Sequence, residues 1–170
     1  VYKRQDILYG NAADNRVDGG SGRDQLFGGL GEDTLFGGDG TDHVSGGSGD
    51  DQISGDGGTD TLTGGTGDDT IAGGLGDDVI DGGADTDIAT YSGKMADYKV
   101  EIGLQGIDKV IDLKAEDGDD GTDRLSAVET VRFTDGELTV SFDADGEAQV
   151  NTYPFYDQQT PAIANLCLLY

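Results

Sequence analysis

From Gly19 to Thr90 a large aliphatic side chain recurs at every ninth position: Leu26, Leu35, Val44, Ile53, Leu62, Ile71 and Ile80, with Ala89 closing the series. Almost everything between them is glycine or polar. Written in nines, the stretch reads GGSGRDQLF from Gly19, GGLGEDTLF from Gly28, GGDGTDHVS from Gly37, GGSGDDQIS from Gly46 and GDGGTDTLT from Gly55, then GGTGDDTIA, GGLGDDVID and GGADTDIAT. Upstream, GNAADNRVD from Gly10 keeps the register in weaker form, and Asp6 and Leu8 carry it one unit further. A unit this short cannot bury its own apolar residue, so neighbours must stack to make a core. Position eight, flanked by outward positions seven and nine, marks a three-residue strand. The glycines at positions one, two and four admit the left-handed backbone of a tight turn. The pattern predicts stacked short strands joined by glycine turns, with the aliphatic column inside.

After Thr90 the period stops and ordinary strand alternation begins. Tyr98, Val100, Ile102 and Leu104 alternate, Gln105-Gly106 turns, and Val110 to Leu113, Val128 to Phe133 and Leu138 to Phe142 follow. These predict a small antiparallel cap over residues 91–142 that covers the open end of the stack, which would otherwise invite aggregation. Residues 143–166 contain both prolines, Pro154 and Pro161, and read as a linker or truncated segment. The two ends, 1–5 and 167–170, read as adaptor-derived scars. Val1-Tyr2-Lys3-Arg4-Gln5 is the translation of GTG TAT AAG AGA CAG, which resembles a transposon adaptor, and Cys167-Leu168-Leu169-Tyr170 reads from its reverse complement. The chain is accordingly expected to be a piece of a longer one.

Charge changes the picture. With 35 acidic against 10 basic side chains the net charge is -25, which makes nucleic acid and anionic membrane poor partners. No stretch is apolar for long enough to span a bilayer, and Val1 to Gly10 lacks the apolar run of a signal peptide. Position six is aspartate in every unit from Gly19 onward. Two nonapeptides complete one coil, so Asp24, Asp42, Asp60 and Asp78 line one edge and Asp33, Asp51, Asp69 and Asp87 the other. Stacked carboxylates repel, and one aliphatic residue in nine offsets little of the chain entropy lost on folding. Folding therefore calls for multivalent cations. The lone Cys167 rules out an internal disulfide and any cysteine metal cluster, which leaves oxygen as the ligand.

The pattern GGxGxDxUx, with U a large aliphatic residue, resembles the RTX nonapeptide family of serralysin and hemolysin type, over about half the chain. DIATYSG from Asp87 and GTDRLSAVETVRFTDG from Gly121 look like the β module that follows RTX blocks in bacterial exoproteins. The resemblance implies an all-β fold: a right-handed parallel β-roll over residues 6–90 followed by the antiparallel cap. It implies about six or more Ca²⁺ ions between stacked turns, since calcium takes six to eight oxygens in flexible geometry. The ligands implied are the eight position-six aspartates with the carbonyls of Gly20, Gly22, Gly29, Gly31, Gly38, Gly40, Gly47, Gly49, Gly65 and Gly67. Sites near Asp56, Asp85, Asn15 and Ala13, which depart from the pattern, should be weaker. The acids at position five, Glu32, Asp50, Asp68 and Asp77, should point to solvent. Asp117 to Asp120 and Asp143 to Gly146 read as acidic turns, with one further calcium at each as the alternative.

Family likeness further implies a monomer, secreted or at the cell surface of a Gram-negative bacterium through a type I system. There the roll would serve as a calcium-folded spacer or folding aid. The alternative is the tail of an exoenzyme or toxin whose catalytic domain lies upstream in the same chain. Catalysis within this stretch is not expected. His43 is the sole histidine and takes an outward position, and neither HExxH nor GxSxG occurs. The outward columns Gln25, His43, Thr61, Val79 and Thr34, Gln52, Thr70, Ile88 form no unbroken ladder for a flat ligand. Phe27 and Phe36 are expected to be exposed, available to a neighbouring domain.

Overall fold

The computed structural model describes residues 5–103, 106–114, 120–142, 148–154 and 166–168. Along the repeats run β1 (Ile7–Tyr9), β2 (Arg16–Asp18), β3 (Ser21–Gly22), β4 (Gln25–Leu30), β5 (Thr34–Gly40), β6 (His43–Ser48), β7 (Gln52–Gly58), β8 (Thr61–Thr66), β9 (Thr70–Ala72), β10 (Val79–Ala84) and β11 (Ile88–Thr90). They fall alternately into two sheets, β1-β4-β6-β8-β10 and β2-β5-β7-β9-β11, with β3 alongside β5. All neighbours are parallel, and each residue pairs with the one eighteen positions on: Leu26 with Val44, Val44 with Leu62, Leu35 with Ile53, Ile53 with Ile71. Two repeats therefore make one coil of a parallel β-roll. The position-eight column is its core, with Leu26, Leu35, Val44, Leu62, Ile71 and Ala89 wholly buried.

Four of the strands, β1, β2, β9 and β11, have the three residues that the alternation predicts, whereas β4, β5, β6, β7, β8 and β10 have six or seven. β5 runs from position seven of one repeat through position four of the next, because the inter-coil ladder continues into the turn, where Asp39 N–H donates to Gly20 O at 2.8 Å. Phe27 and Phe36 are half-buried rather than exposed. Phe27 stacks on Tyr9 at 5.0 Å, and the Arg16 guanidinium lies 4.3 Å over the Phe36 ring.

Parallel stacking continues past Thr90. β14 (Thr122–Ser126) lies parallel on β10 with Leu125 opposite Ile80, and β15 (Thr130–Phe133) lies parallel on β11 with Val131 opposite Ala89. These two strands add a final coil, and the antiparallel strands are built on it. β12 (Tyr98–Gly103) pairs with β13 (Gly106–Asp112), which pairs with β14; β16 (Gly136–Phe142) pairs with β15 and with β17 (Ala148–Pro154). β17 lies in the stretch that reads as a linker. Leu166–Leu168 forms β18, parallel to β12. Tyr91, Tyr98 and Phe133 pack ring against ring at 5.1–5.8 Å where the roll meets the antiparallel strands. A single 3-10 turn at Met95–Asp97 is the one helical element among the described residues, and none of their helices is long and apolar enough to cross a membrane. Gln105, residues 1–4, Asp117 to Asp119 and Asp143 to Gly146 lie outside the described residues.

Turn packing is tight enough to test. Gly38 holds a positive φ of 98°. A methyl group there would collide with the Gly20 carbonyl, whereas one at Gly57 would meet only Asp39 Oδ1, at 3.9 Å. Gly57→Ala should cost about 0.5 kcal/mol or less. Gly38→Ala should cost clearly more, read as a larger loss of denaturant midpoint in saturating calcium; equal losses would contradict this packing.

Candidate metal centre

The turns carry the position-six carboxylates into the interior. Asp24, Asp33, Asp51, Asp60, Asp69 and Asp78 are each 1% exposed, Asp42 is 3% and Asp87 0%. They form two rails. In one, the backbone N–H of each Asp donates to Oδ1 of the residue one coil on: Asp6 to Asp24, Asp24 to Asp42 and Asp42 to Asp60 at 2.7 Å, then Asp60 to Asp78 at 2.8 Å. In the other, Asn15 donates to Asp33 and Asp33 to Asp51 at 2.7 Å, Asp51 to Asp69 at 2.8 Å and Asp69 to Asp87 at 2.9 Å. The two columns follow the grouping that the nine-residue period implies.

One oxygen per carboxylate is thereby satisfied, and the other is not. Oδ2 of Asp24, Asp33, Asp51, Asp60, Asp69, Asp78 and Asp87 is buried without a hydrogen-bond partner. A buried anionic oxygen left unpaired is costly, so the repetition of this feature along both rails marks a place for a cation. Backbone oxygens stand nearby. A methyl group on Gly46 would strike both Asp51 Oδ2 and the Gly64 carbonyl, and one on Gly55 both Asp60 Oδ2 and the Gly73 carbonyl. Among the described residues no three acidic, histidine or cysteine side chains converge on one point. A cation here must therefore draw on carboxylate and carbonyl oxygen together, a mixture calcium accepts.

The position-two and position-four carbonyls stack along the roll. Those of Gly20, Gly22, Gly29, Gly31, Gly40, Gly47, Gly49 and Gly65 each abut the α-carbon of the glycine one coil on, at Gly38, Gly40, Gly47, Gly49, Gly58, Gly65, Gly67 and Gly83. Gly38 pairs with Asp56, and Gly67 N–H approaches Asp85 Oδ2 at 3.3 Å. Asp56 and Asp85 keep the left-handed backbone of the glycines they replace, with φ 69° and 84°.

A family model for the RTX calcium-binding nonapeptide repeat matches the chain in four copies, at residues 4–35, 19–53, 27–62 and 54–89. The chain belongs to that RTX family. Its repeats bind Ca²⁺, which makes this a calcium-binding RTX chain, and RTX repeats are typical of secreted bacterial proteins. No curated protein matches it.

The RTX period does not reveal the last rung of either rail. Asp78 N–H donates to Asp123 Oδ1 and Asp87 N–H to Glu129 Oε2, both at 2.9 Å. The signal for the first was a complete nonapeptide, GDDGTDRLS from Gly118, with Asp119 at position two as in the unit from Gly55; for the second, Glu129-Thr130-Val131 reproduces only positions six to eight, with glutamate for aspartate and without the glycines. The exposed position-five acids also make a ladder, in the reverse sense. Glu32 N–H donates to Asp14, Asp68 N–H to Asp50 and Thr122 N–H to Asp77, at 2.9–3.0 Å.

Burial dominates the electrostatics. It pushes the carboxyls of Asp51, Asp78 and Asp87 up to about 6, and those of Asp60 and Asp69 up to about 7, while backbone N–H donors pull the other way and neighbouring acids add to the rise. Folded values above the ordinary 3.8 mean that protonation stabilises the metal-free roll. That contribution is complete below about pH 3.8 and is lost as pH rises through about 6–7. Chelated protein should gain β circular dichroism on acidification from about pH 8 to about pH 4. In calcium the folding midpoint should rise as pH falls, about tenfold per pH unit for each proton displaced. A midpoint flat over that range would show that these carboxyls do not exchange protons for the ion.

Proposed function

We propose that this RTX chain is a calcium-triggered folding module of a protein secreted by a Gram-negative bacterium, serving as a rigid spacer or folding aid. The reading is carried by one observation: the paired rails of buried Oδ2 atoms that no protein group satisfies. Without cations each of those oxygens opposes the compact state, and the stacked charges repel along both columns. With cations the same atoms become the strongest contacts in the roll. Calcium is scarce in the cytosol and abundant outside, so the chain would stay extended for export through a type I system and fold on emergence.

In this reading about six ions lie between the coils, bridging Asp24 with Asp42, Asp42 with Asp60, Asp60 with Asp78, Asp33 with Asp51, Asp51 with Asp69, and Asp69 with Asp87. Turn carbonyls such as those of Gly20, Gly22, Gly38 and Gly40 complete their shells. The module itself carries no catalytic step. His43, the sole histidine, is exposed and meets the Phe27 ring edge-on at 6.3 Å.

Circular dichroism through a calcium titration tests the switch: the β signal is expected to vanish in excess chelator and return with the ion. Persistence of a cooperative thermal transition in chelator would refute it. Asp51→Ala removes a ligand from two bridged rungs, and losing charge-assisted contacts of about 1.5–3 kcal/mol each should raise the calcium midpoint at least about twofold. An unchanged midpoint would count against ions shared between coils.

A further inference from the structure

Along the second rail each unpartnered Oδ2 sits with a backbone carbonyl of the next coil. A methyl group on Gly28 would strike Asp33 Oδ2 and the Gly46 carbonyl, one on Gly46 Asp51 Oδ2 and the Gly64 carbonyl, and one on Gly64 Asp69 Oδ2 and the Gly82 carbonyl. Each orphaned oxygen therefore belongs to the gap between its own turn and the coil that follows. The series does not stop at Asp69. A methyl group on Gly82 would strike Asp87 Oδ2 together with the carbonyl of Ala127, a residue beyond the last repeat that the RTX family model matches. Asp87 is 0% exposed, and its Oδ2 has no hydrogen-bond partner.

The coil that follows Asp87 is not a repeat. Asp81 pairs with Ser126 and Ile88 with Thr130, so the three residues Ala127 to Glu129 stand opposite the six from Gly82 to Asp87. Glutamate is one methylene longer than aspartate, and Glu129 Oε2 accepts the Asp87 N–H at 2.9 Å. That bond continues the rail, since Asp87 Oδ1 accepts the Asp69 N–H at the same distance of 2.9 Å. Ala127 holds a left-handed backbone, φ 49°, which residues other than glycine seldom adopt, and its carbonyl abuts Gly82. The shortened turn thus still presents a carboxylate and a carbonyl to the Asp87 oxygen.

We infer that Asp87, Glu129 and the Ala127 carbonyl form a further calcium site, shared between the last repeat and the cap. A buried anionic oxygen without a partner is costly, and a cation at this rung removes that cost. Asp87 Oδ2 and the Glu129 carboxylate supply charge and Ala127 supplies neutral carbonyl oxygen, a mixture that calcium accepts. The inference rests on the proposed ligation between stacked aspartates and adds one ion to those that the repeats would hold. Its consequence differs from theirs. Glu129 leads directly into β15, on which β16 and then β17 are built. An ion at this rung therefore ties the antiparallel strands to the roll, so that calcium orders the junction of roll and cap as well as the repeats.

Equilibrium dialysis of radiolabelled calcium against the full chain at saturation counts the ions. Glu129→Gln keeps an oxygen acceptor for the Asp87 N–H but removes the charge, and should lower the count by one. Asp60→Asn, within the repeats, should lower it as well. A lowered count in Asp60→Asn with an unchanged count in Glu129→Gln overturns the site and leaves ligation by the repeats standing. Unchanged counts in both sink the stacked-carboxylate reading itself. A measurement on the unaltered protein guards against misfolding of the variants. Replacing Ca²⁺ with La³⁺ in the folded chain should shift the carboxyl-carbon resonances of both Asp60 and Glu129. A shift at Asp60 with none at Glu129 overturns the inference.

Discussion

A carboxylate oxygen buried with nothing to accept from is the constraint on which this structure depends. Each position-six aspartate spends Oδ1 on the backbone of the preceding coil and leaves Oδ2 facing its own turn. The first bond runs from coil to coil, and the second atom is left buried where a cation would satisfy it. Coil geometry and calcium binding thus meet in the two oxygens of one side chain. Hydrophobic burial supports the arrangement through two facing columns of aliphatic residues, one from each sheet, which make a thin interior.

The glycines serve this arrangement by letting coils approach. Carbonyl oxygens at positions two and four abut the α-carbons of the next coil, where any side chain would intrude. Sheet pairing consequently extends into the turns, and the turns become part of the ladder rather than loose connections between strands. Asp56 and Asp85 show how far this can be relaxed: both retain the left-handed backbone and direct their carboxylates to polar neighbours, Ser54 Oγ at 2.6 Å and Gly67 N–H at 3.3 Å.

Much of the roll was legible in the sequence because a fixed period converts position into place. Leu26 and Val44, or Asp33 and Asp51, have to stack once two repeats close a coil. The final coil was hidden because its turn is shortened: Asp78 and Asp123 are separated by 45 residues, but Asp87 and Glu129 by 42, and the intervening turn has lost its glycines. Tyr91 was equally unreadable, since its partner Asp123 lies 32 residues away and only packing against Phe133 and Tyr98 brings them together. β17 was obscured by nearby prolines, although half-buried Ala148, Val150 and Thr152 alternate with exposed Gln149 and Asn151. Local pattern reports what repeats, whereas contacts unique to the end of a solenoid have no second copy to announce them.

The half-coil character of each repeat has a geometric consequence for whatever the roll connects. Inserting or deleting a pair of nonapeptides slides one end relative to the other by a strand spacing of about 4.8 Å and preserves its azimuth. Changing the number by one instead turns the far end to the opposite side of the axis, because β4 and β5 face each other across the core. Odd and even repeat numbers would therefore present an attached domain in opposing directions, and length variation in such chains can reorient as well as extend.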